Sequence, residues 1–181
     1  HRLHQDGRTC RYPARHGMSS DEERETWQRA KASRLAAVQA LYQIDRDAAS
    51  LEIALSSAVS RGAVLDEQGL AAEIDRVFTT SIVRNVAGDR ELRLDGMIDG
   101  ALAEGWSIAR LESLMRAILR AGIHELLDFP DTPVRVIISD YVDIAHAFYD
   151  RGEPGMVNAV LDRLARLLRA QEFQPETAAG G

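Results

Sequence analysis

The stretch "LMRAILRAGIHELL" (residues 114–127) decides the fold class of this chain. Its large apolar residues recur at intervals of three and four, which places them on one face of an α-helix. The residues that form this face are Leu114, Met115, Ile118, Leu119, Leu126 and Leu127. A β-strand would alternate apolar and polar residues, and this stretch does not. The pattern therefore predicts a helix that buries one long apolar face.

The same spacing recurs on both sides of this stretch. Further helical patterns lie at residues 35–42, 51–59, 70–82, 94–102, 134–148 and 156–168. No segment shows sustained alternation with a period of two, so the sequence predicts an all-α protein of about seven helices with short connections. We expect Leu119 and Leu161 to be almost fully buried, since both lie at the centre of an apolar face.

Composition restricts the class of protein further. The 181 residues are 45% apolar and 28% charged, which suits one globular domain. A single cysteine, Cys10, excludes a disulfide framework and favours a reducing cytoplasm. No run approaches 18 apolar residues, so the sequence predicts no membrane association through a spanning helix. Residues 1–34 hold eight basic against five acidic side chains, whereas the net charge of the whole chain is −6.

The two ends of the chain differ from its body. Residues 1–20 show no periodicity and are predicted to be a disordered leader, with Met18 as the expected natural start. Ser20 and Glu23 match a capping box, which predicts that a helix begins near Asp21. We assign 21–170 to a single helical domain and 171–181 to a flexible, proline-broken tail.

Basic side chains gather at the start of the first long helix. Arg29, Lys31 and Arg34 are separated by small residues in "RAKASR" (29–34). Such a group could hold several phosphates, and arginine can also stack on unpaired bases. The alternative is a solvated helix face whose charge is balanced by nearby glutamates. Spacing alone leaves both interpretations open.

Motifs of catalysis and of metal binding are missing from the sequence. His124 begins "HELLD", but Asp128 stands where a zinc-protease motif needs its second histidine. The phosphate-binding loop and the nucleophile elbow are also absent. The sequence therefore predicts no enzyme, no metal and no cofactor.

Four stretches together resemble the bacterial transcription antitermination factor NusB family. They are "ASRLAAVQALYQID" (32–45), "WSIARLESLMRAILRAGIHELL" (106–127), "TPVRVIISDYVDIAHAF" (132–148) and "GMVNAVLDRLAR" (155–166). The first resembles the opening helix of that family, and the others resemble its central signature and its last two helices. The resemblance covers roughly residues 28–169.

This resemblance implies a fold, a function and a site. The implied fold is all-helical, with two small helical bundles packed together. The implied function is binding of a boxA-type single-stranded RNA together with NusE, a small-subunit ribosomal protein, which helps RNA polymerase to read through terminators in ribosomal RNA operons. The RNA-binding residues implied by the resemblance are Arg29, Lys31 and Arg34, with Tyr42 and Gln39 on or near the same surface.

Two alternatives keep the fold and change the function. The chain could be a helical module that self-associates as a homodimer without RNA. It could also be an accessory domain of an RNA methyltransferase, although the sequence carries no sign of a following nucleotide-binding α/β domain. The sequence departs from the pattern of many family members at a few positions. Its basic stretch has fewer arginines, and the other departures are at Met115, Gly152, Met156 and Ala159.

Overall fold

The computed structural model describes Gly17 and residues 19–65, 71–88 and 91–175. It divides the chain into two compact units, one up to Arg90 and one from Glu91 onwards. The assignment of 21–170 to a single domain stays a prediction. Each unit is described by itself below.

Unit 1 is built around one long central helix. Helix α1 spans Ser20–Asp47, α2 spans Leu51–Arg61 and α3 spans Arg76–Val86. Both shorter helices pack against α1 and against each other. The middle of α1 is rich in small side chains, and Ala32, Ala36, Ala37 and Ala40 are all buried. These small residues let neighbouring elements approach the axis of α1 closely.

The first helix begins one residue earlier than the sequence analysis predicted. The capping box is Ser19 with Glu22 rather than Ser20 with Glu23. The backbone N–H of Ser19 donates to Glu22 Oε2 at 2.8 Å, and the N–H of Glu22 donates to Ser19 Oγ at 3.3 Å. The bond from the Ser19 backbone lowers the pKa of Glu22. Both serines precede an acid by three residues, so the motif alone could not separate the two registers.

A short antiparallel hairpin replaces the first part of the helix predicted over 70–82. Strand β1 (Ala63–Leu65) pairs with β2 (Ala71–Glu73). Gly62 ends α2 with a φ of +64°, and its carbonyl accepts from the N–H of Ile74 at 3.1 Å. The Asp75 side chain then caps α3 by accepting from the N–H of Phe78 at 3.0 Å. These bonds delay the helix to Arg76; Leu70 lies outside the described residues.

Unit 2 contains four α-helices that pack around an aliphatic core. Helix α4 spans Glu91–Ala101, α5 spans Ser113–Asp128, α6 spans Val134–Phe148 and α7 spans Glu153–Leu168. Short 3₁₀ helices lie at Ile108–Arg110, before α5, and at Ala170–Phe173, after α7. Helices α5, α6 and α7 all pack on one another.

The core of unit 2 confirms the predicted buried leucines. Leu119 on α5 and Leu161 on α7 both have no exposed surface. A Cβ placed on Gly122 would lie 3.0 Å from both terminal methyl carbons of Leu161. Glycine therefore lets α5 and α7 approach closely. The described residues contain seven α-helices and only six strand residues, so the predicted all-α class is confirmed.

Residues 171–173, which the sequence analysis assigned to the tail, lie in a 3₁₀ helix after α7. The buried Arg169 guanidinium donates to the carbonyls of Thr132 at 2.7 Å and Pro130 at 3.0 Å, and it also binds the Glu172 carboxylate. Glu172 in turn accepts from the N–H of Val134 at 3.1 Å, at the start of α6. Residues 171–173 therefore belong to unit 2, while 176–181 and 1–16 of the predicted leader lie outside the described residues.

Candidate nucleic-acid interface

Helix α1 brings three of the five predicted site residues onto one partly exposed stripe. Lys31 and Tyr42 are eleven residues apart, which is close to three full turns, so both lie on the same side of the helix. Gln39 lies about one residue's rotation away from that line, and all three side chains are partly exposed. Arg46, one turn beyond Tyr42, extends the stripe. We name Lys31, Gln39, Tyr42 and Arg46 the α1 stripe.

The end of the α1 stripe is an arginine–aromatic pair. Arg46 donates through Nη1 to the Tyr42 hydroxyl, and its guanidinium carbon lies 5.5 Å from the centre of the Tyr42 ring. The hydrogen bond to Tyr42 is the main cause that raises the pKa of Arg46, with Asp47 contributing. The group is protonated at neutral pH in any case. The Arg46 side chain is 63% exposed, so this pair offers a charge and an aromatic face to solvent.

Arg29 lies on a different side of α1. Arg29 lies two positions before Lys31, so its side chain is turned by about 160° around the axis of a regular helix. Its Nη2 lies 3.4 Å from Glu73 Oε2 at the end of β2, and both side chains are largely exposed. The charge of Arg29 is therefore partly balanced within unit 1.

Arg34 is buried, and the expectation that its charge is exposed is wrong. Only 3% of the residue is exposed, and its guanidinium carbon lies 5.2 Å from the centre of the Phe78 ring on α3. The neighbouring Ser33 accepts from the N–H of Asp75 at 2.7 Å through its hydroxyl, just before the same helix. In this structure Arg34 helps to hold α1 against α3.

Arg46 is not among the site residues implied by the resemblance, which extend only from Arg29 to Tyr42. The signal was nevertheless present. Tyr42 and Arg46 are four residues apart, which is the spacing that brings two side chains together on a helix. Helical geometry likewise places Arg29 and Lys31, two positions apart, on different sides of α1.

The histidines in the described residues do not build a reactive centre. His124 is buried, with Nδ1 3.2 Å from Asp128 Oδ2 and its ring edge-on to Phe129. In the described part of the chain, His, Cys, Asp and Glu side chains form no group of three or more that could hold a metal ion. None of the helices described here has the length and apolarity needed to span a membrane.

Comparisons with known proteins extend over most of the chain. The NusB family profile matches residues 31–166. A protein named transcription antitermination protein NusB from Rhodopseudomonas palustris (strain BisB5) is 48% identical over 145 residues, which cover 78% of this chain and 82% of that protein. A protein of the same name from Bradyrhizobium sp. (strain BTAi1 / ATCC BAA-1182) is 47% identical over 151 residues, covering 82% and 88%.

Solved structures give the same result for the fold. The structure titled "T. maritima NusB, P3121, Form 2" is 28% identical, has a TM-score of 0.64, and covers 81% of this chain and 96% of that chain. A chain of "Crystal Structure of a Plectonemic RNA Supercoil" is 23% identical with a TM-score of 0.63, covering 76% and 94%. At that identity the second match shows the fold alone.

The helical architecture and these matches define the class of protein and then the family. The class is a helical protein whose seven described α-helices form two units, the fold shared with a solved NusB. The chain belongs to the NusB family and is a transcription antitermination factor. The resemblance found from the sequence is thereby confirmed.

Proposed function

We propose that this chain acts in the cytoplasm by binding a boxA-like single-stranded RNA through the α1 stripe, together with NusE. The bound pair then promotes read-through by the elongating RNA polymerase, which the chain contacts only indirectly. Membership of the NusB family supports the role in antitermination, and the names of its relatives give no catalytic activity. We therefore propose a binding protein rather than an enzyme.

The observation that carries the proposal is the chemistry of the α1 stripe. Lys31 and Arg46 supply positive charge, Gln39 supplies an amide, and Tyr42 supplies an aromatic ring. Single-stranded RNA is bound through its phosphates by cations and through its bases by aromatic or guanidinium faces. The distance from Lys31 to Arg46 along the helix is about 22 Å. A stripe of this length can follow a strand rather than grip one phosphate.

The two remaining predicted residues take different parts in the proposal. Arg29 would reach a phosphate at the edge of the site if its exposed bond to Glu73 opened, which costs little because exposed ion pairs are weak. Arg34 would act through the position of α1, since its guanidinium lies against Phe78. The RNA site proposed here is therefore Lys31, Gln39, Tyr42 and Arg46, and Arg29, on a different side of α1, would meet only RNA that passes around the helix.

The test is a binding titration with two RNAs of equal length, one boxA-like and one scrambled. Each is added with and without NusE, and binding is followed by fluorescence anisotropy at several salt concentrations. We expect tighter binding of the boxA-like RNA, a further gain with NusE, and weaker binding as salt rises. Equal, salt-independent binding of both RNAs would contradict the proposal.

Sedimentation and the comparisons with known proteins distinguish the alternatives. Self-association without any RNA binding, seen as a concentration-dependent mass in sedimentation, would favour the homodimeric module. An accessory role beside a methyltransferase is disfavoured because the match covers 82% of the Rhodopseudomonas relative, whose name is that of an antitermination protein.

A further inference from the structure

Unit 2 carries an exposed tryptophan that nothing in the proposed RNA site uses. Trp106 lies in the loop between α4 and α5 and is 48% exposed. Tryptophan usually buries most of its large ring, so an exposed one at a fixed position calls for a reason. The chain has only two tryptophans, Trp27 and Trp106.

A guanidinium lies over this exposed ring. The Arg110 guanidinium carbon is 5.6 Å from the centre of the Trp106 ring, within the range of a cation–π contact. Arg110 also donates through Nη1 to the carbonyl of Gly105 at 2.5 Å. Among the described residues no carboxylate lies within ion-pair distance of Arg110, so its charge is held beside the ring without being neutralised.

Hydrogen bonds donated by its backbone N–H groups hold the loop that carries this pair. Gly105 adopts a φ of +85°, a conformation that a residue with a side chain rarely adopts. The N–H of Trp106 donates to the carbonyl of Ala103 at 3.1 Å, and the N–H of Ile108 donates to Asp99 Oδ1 at 2.6 Å. The pair is therefore held in place before any ligand arrives, which lowers the entropy cost of binding.

We infer that Trp106 and Arg110 form a second RNA-binding site, in which one unpaired base stacks on the indole and its phosphate contacts the guanidinium. An exposed aromatic face beside an un-neutralised arginine matches the two parts of a nucleotide. The inference rests on the proposed function, since it assigns a second RNA contact to the same protein.

The experiment uses the fluorescence of Trp106. Trp27→Phe leaves Trp106 as the single tryptophan, and this protein is titrated with a single-stranded RNA and with a base-free ribose-phosphate oligomer of equal length. Stacking should quench the indole with the RNA and not with the base-free oligomer. Quenching by both oligomers, or by neither, would overturn the inference.

Variants then test whether the site contributes to affinity. Trp106→Ala and Arg110→Gln should each weaken RNA binding about five- to tenfold, whereas Trp106→Phe should retain most of the affinity. Phe148→Ala is the matched control, because Phe148 is similarly exposed at 47% and the contacts described place no guanidinium over its ring. If Trp106→Ala does not fold, Arg110→Gln and the quenching data decide.

The two proposals fail in different ways. If the parent protein binds RNA and responds to Lys31→Ala, but Trp106→Ala and Arg110→Gln bind as tightly as the parent, only the second site is wrong. If the parent binds no RNA at all, both are wrong. Capture of a protein partner that Trp106→Ala loses, with RNA affinity unchanged, would also overturn the inference.

Discussion

Exposed cations on α1 in unit 1 can be compared with two arginines of unit 2 that are turned inward. In unit 1, α1 carries Lys31 and Arg46 on a side that solvent reaches. In unit 2, Arg120 is turned inward onto Asp95 with bonds of 2.7 and 2.9 Å, and Arg169 is turned inward onto backbone carbonyls. The comparison teaches that burial and partners decide whether a cation can bind a ligand. Each unit contains both kinds, because Arg34 in unit 1 is buried and Arg110 in unit 2 is exposed.

The cores of the two units differ as well. Unit 1 packs small alanines along the middle of α1, whereas unit 2 interlocks large side chains around Leu119, Tyr141 and Leu161. Removal of a large buried side chain leaves a cavity, and the cost grows with the volume of that cavity. Unit 2 should therefore contain the positions most sensitive to truncation.

Leu161→Ala should have the largest effect on stability. The side chain is fully buried and lies against Gly122, so its loss should lower the free energy of unfolding by about 2–5 kcal/mol. Denaturant unfolding followed by circular dichroism measures the change. Leu167→Ala on the same helix is the control, because Leu167 is 75% exposed and should cost less than about 0.5 kcal/mol. Equal losses for the two variants would place the core elsewhere.

Arg169→Ala should have the next largest effect. The change leaves the carbonyls of Pro130 and Thr132 without their donor and frees Glu172, so we expect a loss of about 2–3 kcal/mol in denaturant unfolding. Arg166→Ala, three residues earlier and largely exposed, should cost less than about 1 kcal/mol. An Arg169→Ala protein that is as stable as the parent would show that this residue does not hold the end of unit 2 in place.

Arg34→Ala and Arg46→Ala should differ in their effect on the free energy of unfolding. Arg34→Ala removes a buried stem and its contact with Phe78, so the free energy of unfolding should fall by about 1–2 kcal/mol. Arg46→Ala should leave the unfolding midpoint unchanged within error, because the side chain is mostly exposed. The reverse order in the two unfolding curves would contradict the structure of α1.

A change in the capping box of α1 should have the smallest effect on stability, and this effect should depend on pH. The pKa of Glu22 lies below its usual value of 4.5 in the folded chain, so its stabilising contribution is present above that value and is lost as pH falls through the lowered pKa. Glu22→Gln removes the ionisable carboxylate that accepts from the Ser19 backbone N–H. The difference in stability between the parent and Glu22→Gln should therefore shrink between pH 7 and pH 3. A difference that grows in acid would have the wrong sign.

The sequence was a sufficient guide to the helices because large apolar residues repeat at helical spacing. Leu119 and Leu161 could be assigned to the core for that reason. The hairpin could not be predicted, since it depends on a backbone bond from Ile74 to Gly62 and on Ser33, which is far away in the chain. The ordered residues 171–173 depend in the same way on contacts of Arg169 with a distant turn.

Part of the proposed site follows from the sequence alone. Lys31, Gln39 and Tyr42 share a stripe, which helical spacing could have shown, and Arg46 follows from the same rule. The burial of Arg34 could not be read from spacing, because a charged residue at this position looks like part of a basic surface until Phe78 is seen to lie beside it. The residue spacing within one helix does not show which residues of another element will contact it.

The central claim is that the α1 stripe, and not Arg34, holds the RNA phosphates. The most direct measurement is the salt dependence of RNA affinity, compared between the parent, Lys31→Ala/Arg46→Ala and Arg34→Met, which keeps an apolar stem in place of the buried one. Each lost phosphate contact should flatten the slope of log affinity against log salt by about 0.7. We predict a flattening of about 1.4 for the double variant and none for Arg34→Met. An unchanged slope in the double variant, with a flattened slope in Arg34→Met, would contradict the account.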